Sequence, residues 1–263
     1  MTWANNRGQA VLEYPDGSNI VYDFNTNKQV TLPKHWQDFS FAPADNGIAF
    51  KSMALDVENR FLAIAGPDGS QSRILENIGE KEDQFQVNWS PNNQMIATFS
   101  KGKDLNRSEV YFVGLNNENF KYMLVEGRGF EGQWSPEGDR MVYSVYNSGN
   151  GYKPELWIAD ADPSNIGNNR HQLNLQTWSD KCSFTNSQKL FCAVPSNLPD
   201  GVSLDRSQAS GYIDQIYEID LSTGSKKLLA VPEGNHAIDR IMTSGNQLFF
   251  HDQNTNRLYK INL

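Results

Sequence analysis

Four histidines, two cysteines and 31 acidic residues are the groups in this chain with the chemistry to react or to hold a metal. His35, His171, His236 and His251 are scattered and lack metal-ligand spacing. The sequence holds no CxxC, HExxH or Walker-type glycine loop. It has no GxSxG nucleophile elbow either, so it is not a complete propeller-plus-hydrolase peptidase. Asp160-Ala161-Asp162-Pro163-Ser164-Asn165 has the outline of a calcium loop, but the required glycine and distal glutamate are absent, and it reads as a turn between strands. Paired carboxylates for glycoside chemistry stay open, because contacts between distant segments are invisible in a sequence. No cofactor and no metal are expected.

The elements that must position these groups are short strands. The chain has 263 residues, 38% of them apolar and 11% aromatic, enough for one large all-β domain with a buried core. Its net charge of −8 argues against a nucleic-acid or anionic-membrane surface. There is no apolar run long enough to span a bilayer and no signal peptide at the start.

One pattern recurs along the chain: an apolar or aromatic anchor, a small polar residue often followed by Pro, then Asn, Asp or Gly, then a β-branched or aromatic run. The copies begin at Trp3, Phe41, Trp89, Trp134, Phe184 and Met242. Each is followed by a second alternating strand, such as Ile20–Phe24, Phe61–Ala65, Val110–Val113, Leu156–Asp160, Ile216–Asp220 and Leu258–Ile261. Most then add a short outer strand, for example Val30–Leu32 or Lys227–Leu229. Strand-forming runs bounded by turn formers, repeated at this period, predict a six-bladed β-propeller of four-stranded antiparallel blades with almost no helix. The repeats fall at about 1–36, 37–82, 83–129, 130–178, 179–236 and 237–263 in a single domain. The anchors are expected to pack between neighbouring blades, since one blade cannot bury both its faces.

Trp89-Ser90-Pro91-Asn92-Asn93 and Trp134-Ser135-Pro136-Glu137-Gly138, each leading into an apolar strand, resemble the TolB-type, WD40-like propeller repeat. The resemblance covers essentially the whole chain, strict in these two copies and degenerate in the rest. No Trp-Asp dipeptide occurs, so the true WD40 repeat is not implied. The segment from Lys181-Cys182 to Cys192-Ala193-Val194-Pro195 further resembles a blade of membrane-anchored bacterial propeller proteins. That resemblance implies an extracytoplasmic domain behind an N-terminal anchor and implies no chemistry. TolB itself acts with partners at the cell envelope, and carrying that role over is analogy at the level of fold. Only Met1 and Thr2 precede the first anchor, and the final repeat stops at its third strand. The expectation is a natural chain extended at its N-terminus by a segment that completes the last blade or adds a seventh, the other reading being a propeller that tolerates one three-stranded blade.

Cys182 and Cys192 flank the turn of the fifth repeat. With that turn centred near Ser187, Phe184 faces Leu190 and Cys182 faces Cys192. Opposed positions on antiparallel strands are close enough for a cross-strand disulfide, which suits an oxidising compartment. Two buried reduced thiols are the other state that this placement allows.

The connections between second and third strands are long in the middle repeats: 52–59, 100–108, 147–155 and 195–214. The other turns read as short, so the elaboration is expected on one face, where binding usually resides. Candidate contact residues are Lys103, Asp104, Arg107, Tyr152, Lys153, Leu204, Asp205, Arg206 and Tyr212. Trp36 and Trp178, in connections between repeats, are added as candidate sugar-stacking platforms, each also readable as core. The resulting expectation is a monomeric, non-catalytic binding module of the bacterial cell envelope, taking a protein, a peptide or a glycan. The alternatives are a glycan hydrolase or lyase using acidic residues in the propeller funnel, and a purely architectural domain.

Overall fold

The computed structural model describes residues 1–6 and 8–263. Among the described residues the regular structure is strand, interrupted only by single 3₁₀ turns. The strands form six antiparallel sheets, each following chain order. Sheet 1 comprises Thr2–Trp3, Gln9–Glu13, Asn19–Asp23 and Lys28–Leu32. Sheet 2 comprises Trp36–Phe41, Ile48–Met53, Arg60–Ala65 and Arg73–Asn77. Sheet 3 comprises Phe85–Val87, Met95–Gly102, Ser108–Gly114 and Met123–Val125. Sheet 4 comprises Arg128–Trp134, Arg140–Tyr146, Glu155–Asp160 and His171–Gln172. Sheet 5 comprises Cys182–Asn186, Lys189–Pro195, Asp214–Asp220 and Lys226–Ala230. Sheet 6 has three strands, Ile238–Ser244, Gln247–Asp252 and Arg257–Asn262. Strands within a sheet are called A to D below. Six meanders of this kind are the blades of a β-propeller.

The recurrent motif forms its turn for a local reason. In Trp89-Ser90-Pro91-Asn92-Asn93 the Asn93 N–H donates to Ser90 O, and Asn93 takes φ +61°, a left-handed value that asparagine tolerates. The Ser90 hydroxyl accepts from the N–H groups of Gln94 and Met95, tying the turn to the start of strand B. The second strict copy repeats this with Gly138 at φ +71° and Ser135 Oγ accepting from Arg140 N–H. Serine closes the hairpin, and Asn or Gly supplies the backbone that other residues resist.

The chain divides into two compact units, Met1–Lys101 with Val110–Tyr122, and Gly102–Glu109 with Met123–Leu263. In the first, Trp36, Phe39, Phe41, Ile48 and Phe50 pack with Val11 and Val21, and Trp89 packs with Ala42, Ala49 and Ile96. In the second, Val142, Leu156, Ile158, Leu190 and Ile219 form one core, and Phe191, Ile216, Ile238, Ile241, Leu248 and Phe250 form another. The anchors Phe41, Trp89 and Trp134 are buried, but Trp3 and Met242 are not. Trp3 stacks on Phe24 at the surface, with ring centroids 5.1 Å apart.

Loop length departs from expectation in one respect. The B–C connections are long in sheets 4 and 5, but 103–107 in sheet 3 only equals 14–18 in sheet 1, and the C–D connections 115–122 and 161–170 are also extended. Segment 161–170 is a folded turn: Ile166 is buried, and Asp162 accepts from the Ser164 N–H and hydroxyl. The calcium-like run is consumed in that turn, with Asp160 accepting from Asn169 Nδ2. The elaboration is therefore not confined to one kind of connection.

Candidate binding face

Three B–C connections of the second unit are braced to one another. In 103–107, the Lys103 N–H donates to Arg107 O, and Arg107 Nε donates to Asp104 Oδ2 at 2.7 Å. Arg128 Nη1 donates to Asp104 O, fixing this hairpin against strand A of sheet 4. Asn106 Oδ1 accepts from both the N–H and the hydroxyl of Ser148, which joins it to 147–154. That second loop is a capping box in which Asn147 and Asn150 bond to each other's backbone N–H groups. It joins the third loop, 196–213, through Gly201 N–H to Gly151 O at 2.7 Å and Ser203 N–H to Tyr152 O at 3.0 Å. Lys153 Nζ adds an ion pair to Asp200 Oδ1 at 3.2 Å. A loop network of this density gives side chains fixed positions.

The 196–213 insertion has its own small core. Leu198 and Val202 are buried against Trp178, with Ala209 and Tyr212 packed beside them. Beyond that core the chain turns once through Arg206–Ala209, capped by Asp205, whose carboxylate accepts from the Ser207 N–H and hydroxyl. Those bonds hold the Asp205 carboxyl below the ordinary aspartate value. Asp104 is lowered in the same way, by Arg107 and the Asn106 N–H.

Arg206 ties the insertion to sheet 4 and to the turn before sheet 5. Its guanidinium lies over the Trp178 ring, 4.6 Å from the centroid. Nη2 donates to both carboxylate oxygens of Asp180 at 2.7 Å, and Nη1 reaches Glu131 Oε2 at 3.4 Å. The half-buried Glu131 carboxyl is pushed above the ordinary glutamate value by desolvation and by the nearby Asp180 charge, with Arg206 opposing. Two clefts flank this pair. One, of about 150 Å³, is lined by Glu131, Tyr146, Pro154, Trp178, Ser203 and Arg206. The other, of about 290 Å³, is lined by Trp178, Lys181, Arg206, Ser210, Asp239 and Gln253 among others.

The sequence-derived candidates distribute as follows. Lys103, Asp104 and Arg107 share the first hairpin, Tyr152 and Lys153 the second loop, and Leu204, Asp205, Arg206 and Tyr212 the third. Most of their charges are already matched, since Lys103 pairs with Glu109 at 3.2 Å and Arg206 with Asp180. Trp36 and Trp178 are not exposed stacking platforms. Trp36 is 7% exposed and stacks on Phe50 with centroids 3.7 Å apart, and it borders an open cleft beside His35, Phe50 and Ile74. Trp178 is 5% exposed because Arg206 and the insertion core cover it. Among the exposed side chains of these loops are three apolar or aromatic ones, Leu105 at 86%, Leu204 at 63% and Tyr152 at 38%, one on each braced loop. Leu105, Glu131 and Asp180 were not among the candidates. Asp180 could have been noticed beside Trp178, but nothing in the sequence joins Glu131 to an arginine 75 positions away.

The pair Cys182–Cys192 forms a disulfide between directly opposed residues of strands A and B of sheet 5. It lies just after Trp178 and the Ser179–Lys181 turn that carries Asp180. Among the described residues there is no cluster of metal-binding side chains, and no helix long and apolar enough to cross a membrane.

The fold and face define the class, a six-bladed β-propeller with an elaborated loop surface. No protein-family model and no curated protein matches the sequence. Among solved structures the chain is similar to the β-propeller domain of the Trilobed protease from Pyrococcus furiosus, at 11% identity over 89% of this chain and 69% of that one, TM-score 0.58. It is similar to TolB from Acinetobacter baumannii at 14% identity over 99% of this chain, TM-score 0.56, and spans 65% of that chain's length. An oligogalacturonate lyase in complex with manganese matches at 12% identity over 99% of this chain and 75% of that one, TM-score 0.56. At these identities the likeness is one of fold, shared by binding proteins and enzymes alike.

Proposed function

We propose that this chain is a binding module that takes a protein or peptide on the braced loop face of its second unit. One observation carries the reading: the loops 103–107, 147–154 and 196–213 are hydrogen-bonded into a single surface that presents Leu105, Tyr152 and Leu204 outward. Apolar side chains held at the tips of rigid loops offer contact area at little ordering cost. The likeness to TolB supports this reading at the level of fold. The disulfide supports an extracytoplasmic location, where such bonds persist.

The test is selection of binding peptides from a random displayed library against the native protein. The selected peptides are expected to lose binding to the triple variant L105S/Y152S/L204S, which retains its fold because none of the three side chains is in the core. Selected peptides that bind the triple variant undiminished overturn the assignment of the face.

A glycan-active enzyme is the second reading, favoured by the raised Glu131 carboxyl beside Asp180. It predicts release of new reducing ends from oligogalacturonate by the native protein and not by E131Q. No release with any glycan of a broad acidic and neutral panel removes it.

A further inference from the structure

We propose that Trp178, Asp180 and Glu131 form a receptor for the arginine side chain of a partner peptide, and that the chain's own Arg206 occupies it in this structure. The proposal rests on the loop-face reading and names the chemistry that the face recognises.

The geometry of Arg206 displays what the site accepts. An indole face supplies the π surface, Asp180 takes two hydrogen bonds at 2.7 Å, and Glu131 stands at 3.4 Å. Aromatic face plus carboxylate is the arrangement that recognises a planar guanidinium. The charges do not balance, however. Two carboxylates share one guanidinium, and the contact to Glu131 is the longer one; burial first, and the Asp180 charge second, push the Glu131 carboxyl upward against the opposing Arg206. A second cation, or a better placed one, is therefore favoured.

Arg206 is also placed to leave. It sits on the exposed single turn Arg206–Ala209, and its side chain is 40% exposed. The buried anchors of the insertion, Leu198 and Val202, lie earlier in the loop, so release of Arg206 leaves that core in place. The two clefts meet at the Trp178–Arg206 wall, giving an incoming peptide room on both sides of its arginine. Lys181 lines the larger cleft, where its ion pair with Asp214 at 2.7 Å offsets its charge in part and leaves a smaller repulsion toward a guanidinium in the site.

The experiment titrates N-acetyl-arginine methylamide into 15N-labelled protein and follows the Trp178 indole resonance, assigned by its loss in W178F. N-acetyl-norleucine methylamide is the uncharged control. Emptying the receptor with R206A is expected to tighten arginine binding at least about tenfold over wild type, because the chain's own guanidinium no longer competes for the site. Adding D180N to R206A is expected to abolish it. Binding to R206A no tighter than to wild type, or equal binding of the norleucine probe, overturns the proposal. Should R206A fail to fold, R206Q takes its place; should neither fold, the wild type decides, since no saturable indole shift with the arginine probe also overturns it. This result is separable from the loop-face reading: a receptor that fails while L105S/Y152S/L204S still loses its peptides leaves the face standing without its arginine pocket.

Discussion

Lys181 Nζ and Asp214 Oδ1 lie 2.7 Å apart in an ion pair closed to solvent, Lys181 being 8% exposed and Asp214 fully buried. Asp214 Oδ2 accepts from the Ile238 N–H at 2.7 Å, so one carboxylate fastens the approach to strand A of sheet 5, strand C of sheet 5 and strand A of sheet 6. Burial pulls the lysine downward and the aspartate upward, and their mutual attraction opposes both shifts. Removing one partner strands the other charge, so K181M is expected to cost about 3–5 kcal/mol in denaturant unfolding. In K181M the Asp214 carboxyl rises further above its unfolded value, so the deficit should shrink as pH falls through that raised value. K181M/D214N should recover more than half the loss. A K181M deficit that does not change with pH would show that the cost comes from packing and not from the abandoned charge.

This ion pair illustrates where the sequence stops being readable. The hairpins were legible because their causes are local: a serine hydroxyl that closes a turn, and Asn93 or Gly138 in a left-handed position. The opposition of Cys182 and Cys192 followed from counting outward from one turn. Lys181 and Asp214 are 33 residues apart, and Glu131 and Arg206 are 75 apart. Lys181 reaches Asp214 across sheet 5, and Glu131 of sheet 4 reaches a loop of sheet 5; no spacing rule encodes either meeting. The binding loops were visible as long, polar connections. Which of their side chains stay free was not, because Lys103 pairs with Glu109, Arg107 with Asp104 and Lys153 with Asp200, while Leu105 and Leu204 face outward.

Trp36 separates a packing role from a binding one. Its indole stacks on Phe50, and its carbonyl accepts from the buried Asn19 side chain at 2.8 Å, which ties sheet 2 to strand C of sheet 1. Loss of the ring leaves a large cavity, so W36A is expected to lower stability by about 3–5 kcal/mol, and W36F by less than half of that. Thermal and denaturant unfolding measure it. W36A at wild-type stability would return this tryptophan to the list of ligand platforms.

The disulfide should resist reduction while the protein is folded. Cys182 and Cys192 are both buried, so a reductant has no path to either sulfur. Thiol titration is expected to find none in native protein, none after denaturation alone, and two after denaturation with reductant. C182A/C192A is expected to lose about 2–3 kcal/mol, mainly through the entropy returned to the unfolded chain by opening a short loop. Free thiols in denatured, unreduced protein would remove the bond and with it the argument for an oxidising compartment.

His251 gives sheet 6 a pH dependence of definite sign. Its Nδ1 lies 2.8 Å from Asp239 Oδ1 and its Nε2 lies 3.1 Å from Asn256 Oδ1, so two oxygen acceptors face the two ring nitrogens. The Asp239 hydrogen bond is the main reason its pKa stands above the ordinary histidine value, with Asp239 and Asp252 charges adding to it. A folded pKa raised above the unfolded one means that the contribution is complete below about pH 6.5 and is lost as pH climbs through the folded value. The melting temperature of wild type relative to H251Q should therefore fall between about pH 6 and pH 8. Because the imidazole is well exposed, the change should be small and should diminish in high salt. A difference between the two proteins that stays level across this range would mean that the Asp239 contact does not favour the imidazolium.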